Sequence, residues 1–393
     1  MTDVVPNRSR PPTGRRKFHN LAIRVAVPVA ACAFVLGFGP ALASVQAQSQ
    51  KIGDTSVFST LPFPGHPFGI AVDKDKIYVD TSRGDFFASQ TNSAGERVFA
   101  LNKDGDLLQT TSVPTMPDAT MGLWGLALDG NKGRAHQLYV ADMNGRILRL
   151  HIGQRTPTFD VFSTPPPPFN TGDWHTTMWN DLTFDRAGNL LMTDDKPRLW
   201  RIAPDGTASV YFTDPRLLGQ FGFAGGPLGG RIDPSGKWFY FSITISAVFP
   251  GDALIYRLRL VEHPQASDLE LVHRFPAVAG QAPPQASGLA FARSGNLYVG
   301  LLGPNQVAVL DPAGNEIRRF SSPLFDSPWG LAFLGNSLLV SNADINPVES
   351  PNKWIVSKVF VGEPGLPLNR PKTDSDSEDP LASDPFSAFG LGD

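Results

Sequence analysis

Only one cysteine, Cys32, occurs in the 393 residues, and it lies in the N-terminal segment. A mature chain cut beyond it holds no disulfide, thiolate metal site or cysteine nucleophile, so its stability has to come from a packed core. Charge is also sparse. Asp, Glu, Lys and Arg make up 18% of the chain against 41% hydrophobic residues, which excludes a disordered protein and allows a large core. Long helices are disfavoured by 38 Gly and 36 Pro, a composition suited to many short strands and turns. The familiar catalytic and cofactor signatures are missing as well: there is no Walker loop, His-Glu-x-x-His, nucleophile elbow or Cys/His ligand spacing. The glycines from Gly222 to Gly230 lack the flanking strand and helix of a dinucleotide loop and read as a connection.

The N-terminus has the layout of an export signal. Arg8, Arg10, Arg15, Arg16 and Lys17 precede an apolar stretch from Val25 to Ala43 that ends in Ala41-Leu42-Ala43, with Val45-Gln46-Ala47 as a second cleavage pattern. Residues 1–43 therefore read as a signal peptide of a periplasmic or secreted protein. Arg15-Arg16-Lys17-Phe18 also fits a twin-arginine signal, although His19 and Asn20 suit it poorly. An uncleaved anchor is opposed by Pro28 and Pro40, and lipidation at Cys32 by the apolar residues that continue beyond it. Removing the leader's six basic residues and one acidic residue from totals of 34 and 37 leaves 28 and 36, a net charge of −8. That surface repels phosphate backbones, which excludes nucleic acid as a partner, and nothing beyond the signal segment points to a membrane.

What the chain does contain is a block repeated six times: an apolar strand, a Gly-containing turn and a second strand. The openers are Gly69–Asp73, Gly125–Asp129, Asp181–Asp185, Gly230–Asp233, Gly288–Ala292 and Gly330–Leu334. Turns such as Arg186-Ala-Gly-Asn189 make each a hairpin, and two further strands follow, as in Arg198–Ile202 and Ala208–Phe212. Four strands per repeat make a propeller blade. The sixth repeat runs out at Gly362-Glu-Pro-Gly365 after three strands, the third from Trp354 to Val361. Thr55–Thr60 resembles the fourth strands of other blades and supplies the missing one. The expected fold is all-β: a six-bladed β-propeller over residues 55–371, closed by its N-terminal strand. Residues 372–393, rich in Asp, Glu, Ser and Pro, read as a disordered acidic tail.

In such a ring the residue before each opener and the end of each second strand share one mouth of the central channel. The entry positions are Phe68, Trp124, Asn180, Gly229, Ser287 and Trp329. Asp80, Asp142, Asp194, Asp195, Asn342 and Asp344 come from second-strand ends. The carboxylates of Asp80, Asp142, Asp194 and Asp344 either converge on the axis or cap their own turns. Phe68, Trp124 and Trp329 read as an apolar or sugar-stacking wall, or as a plug. The Pro165–Thr177 insertion, with Asp173, Trp174 and His175, leads into Asn180 as a lid, and His175 is a candidate general base as well as an ordinary solvated loop residue. The insertions Ser82–Glu96, with Phe86 and Phe87, and Asp344–Asn352 rise from the same face.

Openers such as Trp179-Asn-Asp-Leu-Thr-Phe-Asp185 and Ala286-Ser-Gly-Leu-Ala-Phe291 resemble those of the gluconolactonase family, which includes senescence marker protein and luciferin-regenerating enzyme. The similarity runs from about Thr55 to about Pro371. It implies a divalent cation, usually calcium, held by a Glu, two Asn and an Asp before four openers. Asn180 matches one of these positions, whereas Phe68, Gly229 and Ser287 stand at the others. Two functional classes follow. One is a lactone or ester hydrolase acting on a small molecule, with Asn180 on a metal and Asp194 or His175 as base. The other is a non-catalytic module binding a sugar, peptide or protein, with Phe68, Trp124, Trp329, Asp80 and Asp142 as contacts.

Overall fold

The computed structural model describes residues 50–62, 66–82, 96–113, 122–129, 136–143, 145–173, 175–222, 225–345, 350–352 and 354–371. The expected signal peptide with Cys32, the Phe86-Phe87 pair, Trp174 and the acidic tail lie outside these residues.

The repeats form six four-stranded antiparallel sheets. Their opening strands are His66–Asp73, Leu123–Leu128, Trp179–Phe184, Pro227–Ile232, Ala286–Phe291 and Pro328–Leu334. Each opener packs against the next, and the last returns to the first, which makes the inner ring of the expected propeller. Closure also follows expectation. Thr55–Thr60 pairs antiparallel with Ile355–Phe360, Thr55 opposite Val359, as the outermost strand of the sixth sheet. Sealing the ring with its own beginning leaves no blade unpaired at a seam. Between blades the sheets bury apolar faces: Phe239 and Phe241 are completely covered, each worth about 1.5–3 kcal/mol by removal from water.

Every opener is bulged at the same point, for example between Pro67 and Ile70 and between Pro328 and Leu331. A bulge re-aims the residues beside it, and here neighbouring openers approach so closely that side chains are excluded. A Cβ on Gly288 would stand 2.1 Å from the Trp329 carbonyl oxygen, and one on Gly330 2.1 Å from that of Phe68. Hydroxyls on the second strands tie the ring together. Ser242 Oγ accepts from Gly229 N and donates to the Ser287 carbonyl of the next blade. Ser341 Oγ does the same between Gly330 N and the Phe68 carbonyl, and Thr193 Oγ1 between Asp181 N and the Leu228 carbonyl.

This pattern corrects the expected register of blade four by one residue. Gly229, not Gly230, is the counterpart of Gly330, so Leu228 rather than Gly229 holds the entry position. The Gly229-Gly230 pair offers two possible starts, and only the bond to Ser242 selects between them.

After Gly362 the chain crosses the opposite end of the channel. Arg293 N donates to the Pro364 carbonyl and Leu366 N to that of Phe291, both at 2.9 Å. Arg370 Nη2 reaches Asp73 Oδ1 at 2.8 Å, so the segment straps blade five to blade one.

Candidate functional site

Entry positions and second-strand ends do meet at one mouth. Phe68, Trp124, Leu228 and Trp329 pack there with Met143, Met178, Leu302 and Ala343. The ring centroids of Phe68 and Trp329 are 4.6 Å apart and those of Trp124 and Trp329 5.1 Å, both edge-on, while Phe68 stacks on Trp124 at 5.9 Å. The exposures of Phe68, Trp124 and Trp329 are 1%, 3% and 7%. The aromatic residues fill the mouth, and a ligand entering here would have to displace them.

The carboxylates divide by strand register. Asp80 aligns with Thr193, Ser242 and Ser341 in the channel wall, where its Oδ1 accepts from Gly69 N at 2.6 Å. Burial, reinforced by nearby Asp181 and only partly offset by the Gly69 N–H, pushes its pKa up to about 8. Asp142 and Asp194 stand one residue later, and a shift of one residue turns a strand side chain to the other face. Asp194 has no exposed surface. Its Oδ1 accepts from Met178 N and Lys196 N, and its Oδ2 from Arg198 Nε at 2.6 Å and Trp200 Nε1 at 2.8 Å. Asp142 pairs with Arg146 in the equivalent way. Convergence of these carboxylates on the axis is therefore not observed. Neighbouring Asp195 accepts from Gly226 N, and burial raises its pKa to about 7.

The Pro165–Thr177 insertion is fastened to blade three. Arg198 Nη2 donates to the Thr176 carbonyl, its guanidinium lies 4.5 Å from the Phe169 ring centroid, and Phe169 meets Trp200 edge-on. His175 is left 57% exposed at the side chain, with Nδ1 2.7 Å from Asp173 Oδ1. A second histidine at this end escaped the sequence reading. His66 Nδ1 lies 3.6 Å from Asp344 Oδ2, both buried. His66 falls three residues before the conspicuous part of its opener, so nothing in the repeat pattern drew attention to it.

The residues of the mouth do not fit a calcium ion. Six to eight oxygen ligands are required, but Asn180 shares its small space with Trp124, Leu228 and Trp329. Its Nδ2 donates to the Pro227 carbonyl at 2.8 Å, and Ser287 Oγ is used likewise on the Pro328 carbonyl. Only Asn180 Oδ1, buried and without a partner, remains as a side-chain ligand among the entry residues. No group of three or more His, Cys, Asp or Glu among the described residues is arranged to hold a metal.

Open space lies at the other end of the axis. A cavity of about 610 Å³ is bounded by the ends of the openers, including Val72, Ile232, Phe291 and Leu331, and by the Pro364–Arg370 strap. Lys74, Arg231, Arg293, Arg370 and Asp73 also line it. Arg231 occupies the place of Ala71, Ala127, Thr183, Ala290 and Ala332 in the other openers and reaches Asp181 Oδ2 at 2.6 Å. Burial nevertheless raises the pKa of Asp181, with the Arg231 charge opposing. An arginine where five equivalent positions carry Ala or Thr was a readable signal, obscured by the register of blade four.

No known family and no curated protein matches the chain in sequence. Its fold is similar to several solved structures. A calcium-binding protein, regucalcin, from Agrobacterium tumefaciens aligns over 81% of this chain and 99% of its own at 15% identity, TM-score 0.57. A protein assigned as a gluconolactonase aligns over 80% and 93% at 17% identity, TM-score 0.52. Luciferin-regenerating enzyme aligns over 79% and 96% at 13% identity, TM-score 0.53. These likenesses establish a fold shared with the proteins that the openers resemble.

Proposed function

We propose that the mature chain is an exported, non-catalytic propeller that binds a small molecule in the axial cavity at the strapped end. The observation that carries this reading is the contrast between the two ends. Packed aromatic rings occupy the mouth where the resemblance implies a cation, whereas the opposite end holds a partly open cavity of about 610 Å³ with a largely apolar lining. That volume falls in the range of ordinary ligand pockets. Isothermal titration of the protein from residue 44 onward against small amphiphiles tests it, with no turnover expected across a lactone and ester panel. A reporter fused behind residues 1–43 tests export.

Lactone or ester hydrolysis at the mouth is a second reading, favoured by the buried His66–Asp344 pair, in which a carboxylate stands beside an imidazole able to act as base. Turnover lost in His66→Gln but not in His175→Gln, with the fold intact, would select it.

A further inference from the structure

The axial cavity combines an apolar lining with cationic groups, and their hydrogen bonds are incompletely used. Arg231 is 9% exposed. Its Nη1 is committed to Asp181 Oδ2 and the Gly230 carbonyl, whereas its Nε is buried with no hydrogen-bond partner. Arg370 repeats the arrangement from the strap: Nη2 donates to Asp73 Oδ1, and Nη1 is buried with none. Leaving a buried donor of a charged group unsatisfied costs more than leaving a neutral one. Both residues line the cavity, and two guanidiniums with unmet donors at one wall point to an acceptor. Lys74 and Arg293 add two exposed cations at the lip, although the mature chain as a whole is acidic.

We infer that the cavity takes a monocarboxylate with an apolar body, its carboxylate set between the Arg231 and Arg370 guanidiniums and its body against Val72, Ile232, Phe291, Leu331, Leu366 and Leu368. A carboxylate accepts in two directions at once, which suits donors arriving from an opener on one side and the strap on the other. Asp73 lines the same space and repels a dianion, so a single negative charge is the better match. The apolar side chains make charge alone insufficient, because a fully hydrated anion would leave them wet. This inference rests on the proposed binding role of the cavity.

The test compares three probes of one chain length, octanoate, octan-1-ol and octylammonium, by isothermal titration against the protein from residue 44 onward. Octanoate should bind at least about tenfold more tightly than the alcohol, the effect of one added charge-assisted hydrogen bond, and octylammonium should not bind. Arg370→Gln, which keeps a donor for Asp73, and Arg231→Lys, which keeps a cation beside Asp181, should each remove most of that preference. Equal binding of octanoate and octan-1-ol would overturn the carboxylate assignment while leaving the cavity a binding site. Octanoate binding indifferent to both substitutions would place the anion elsewhere and overturn it too. If none of the probes binds, the binding role falls together with the inference.

Discussion

The backbone N–H of Gly69 donates to Asp80 Oδ1 at 2.6 Å, the position that a serine or threonine hydroxyl fills in three other blades. Those hydroxyls also donate onward to the next blade. A carboxyl group reproduces both bonds only when protonated, in keeping with its pKa of about 8. Asp80 Oδ2 is buried without a hydrogen-bond partner, so of the two bonds only the one from Gly69 is made.

Stability should therefore depend on pH through Asp80. Because its folded pKa lies above the ordinary aspartate value of 3.8, its contribution is fully present below about pH 4 and is lost as pH rises through about 8. Asp80→Asn, which has an acceptor and a donor at every pH, should stabilise the protein by about 1–3 kcal/mol at pH 8 and have little effect at pH 4. Thermal unfolding at the two pH values decides. An equal effect at both would show that Asp80 is ionised throughout.

Trp124→Ala should cost about 3–5 kcal/mol, because it removes one ring from a packed cluster that cannot close around the space. Octanoate binding at the other end should be unchanged. Urea denaturation measures the loss, and full stability in this variant would mean that the rings line a slack pocket.

Asp194→Ala should lower stability by about 3–5 kcal/mol, since the half-buried Arg198 loses its carboxylate and the Met178 N–H and Trp200 Nε1 lose their acceptor. With Arg198 released, residues 165–177 should become the first site of limited proteolysis. A variant of normal stability that has lost only turnover would instead make Asp194 part of an active centre.

Calcium and chelator should leave the unfolding temperature unchanged. A specific cation at a hundredfold its dissociation constant would add about 2.7 kcal/mol, readily seen by scanning calorimetry, and metal analysis of the purified protein gives an independent reading.

The propeller was legible because its information is local. Apolar strands, Gly turns and the orphan strand Thr55–Thr60 each announce themselves within a few residues, and a sheet with five complete precedents can be closed by counting. The candidate site was legible only in part. Phe68, Trp124, Asn180 and Trp329 could be placed at one mouth from topology, but Asp80 and Asp194 looked equivalent. They separate because a strand alternates faces, and a slip of one residue moves a side chain from the channel wall to the opposite face of the sheet.

The chain's own order of residues determined the number of blades, their closure and the lack of a carboxylate at the entry positions where the resemblance implies one, since each of these depends on what stands at a repeat position. Tertiary structure alone decided which end of the axis is filled and which is open. That outcome depends on how side chains from six distant openers and the Pro364–Arg370 strap share one volume, and burial and unmet hydrogen bonds at Arg231 and Arg370 exist only once those segments have come together.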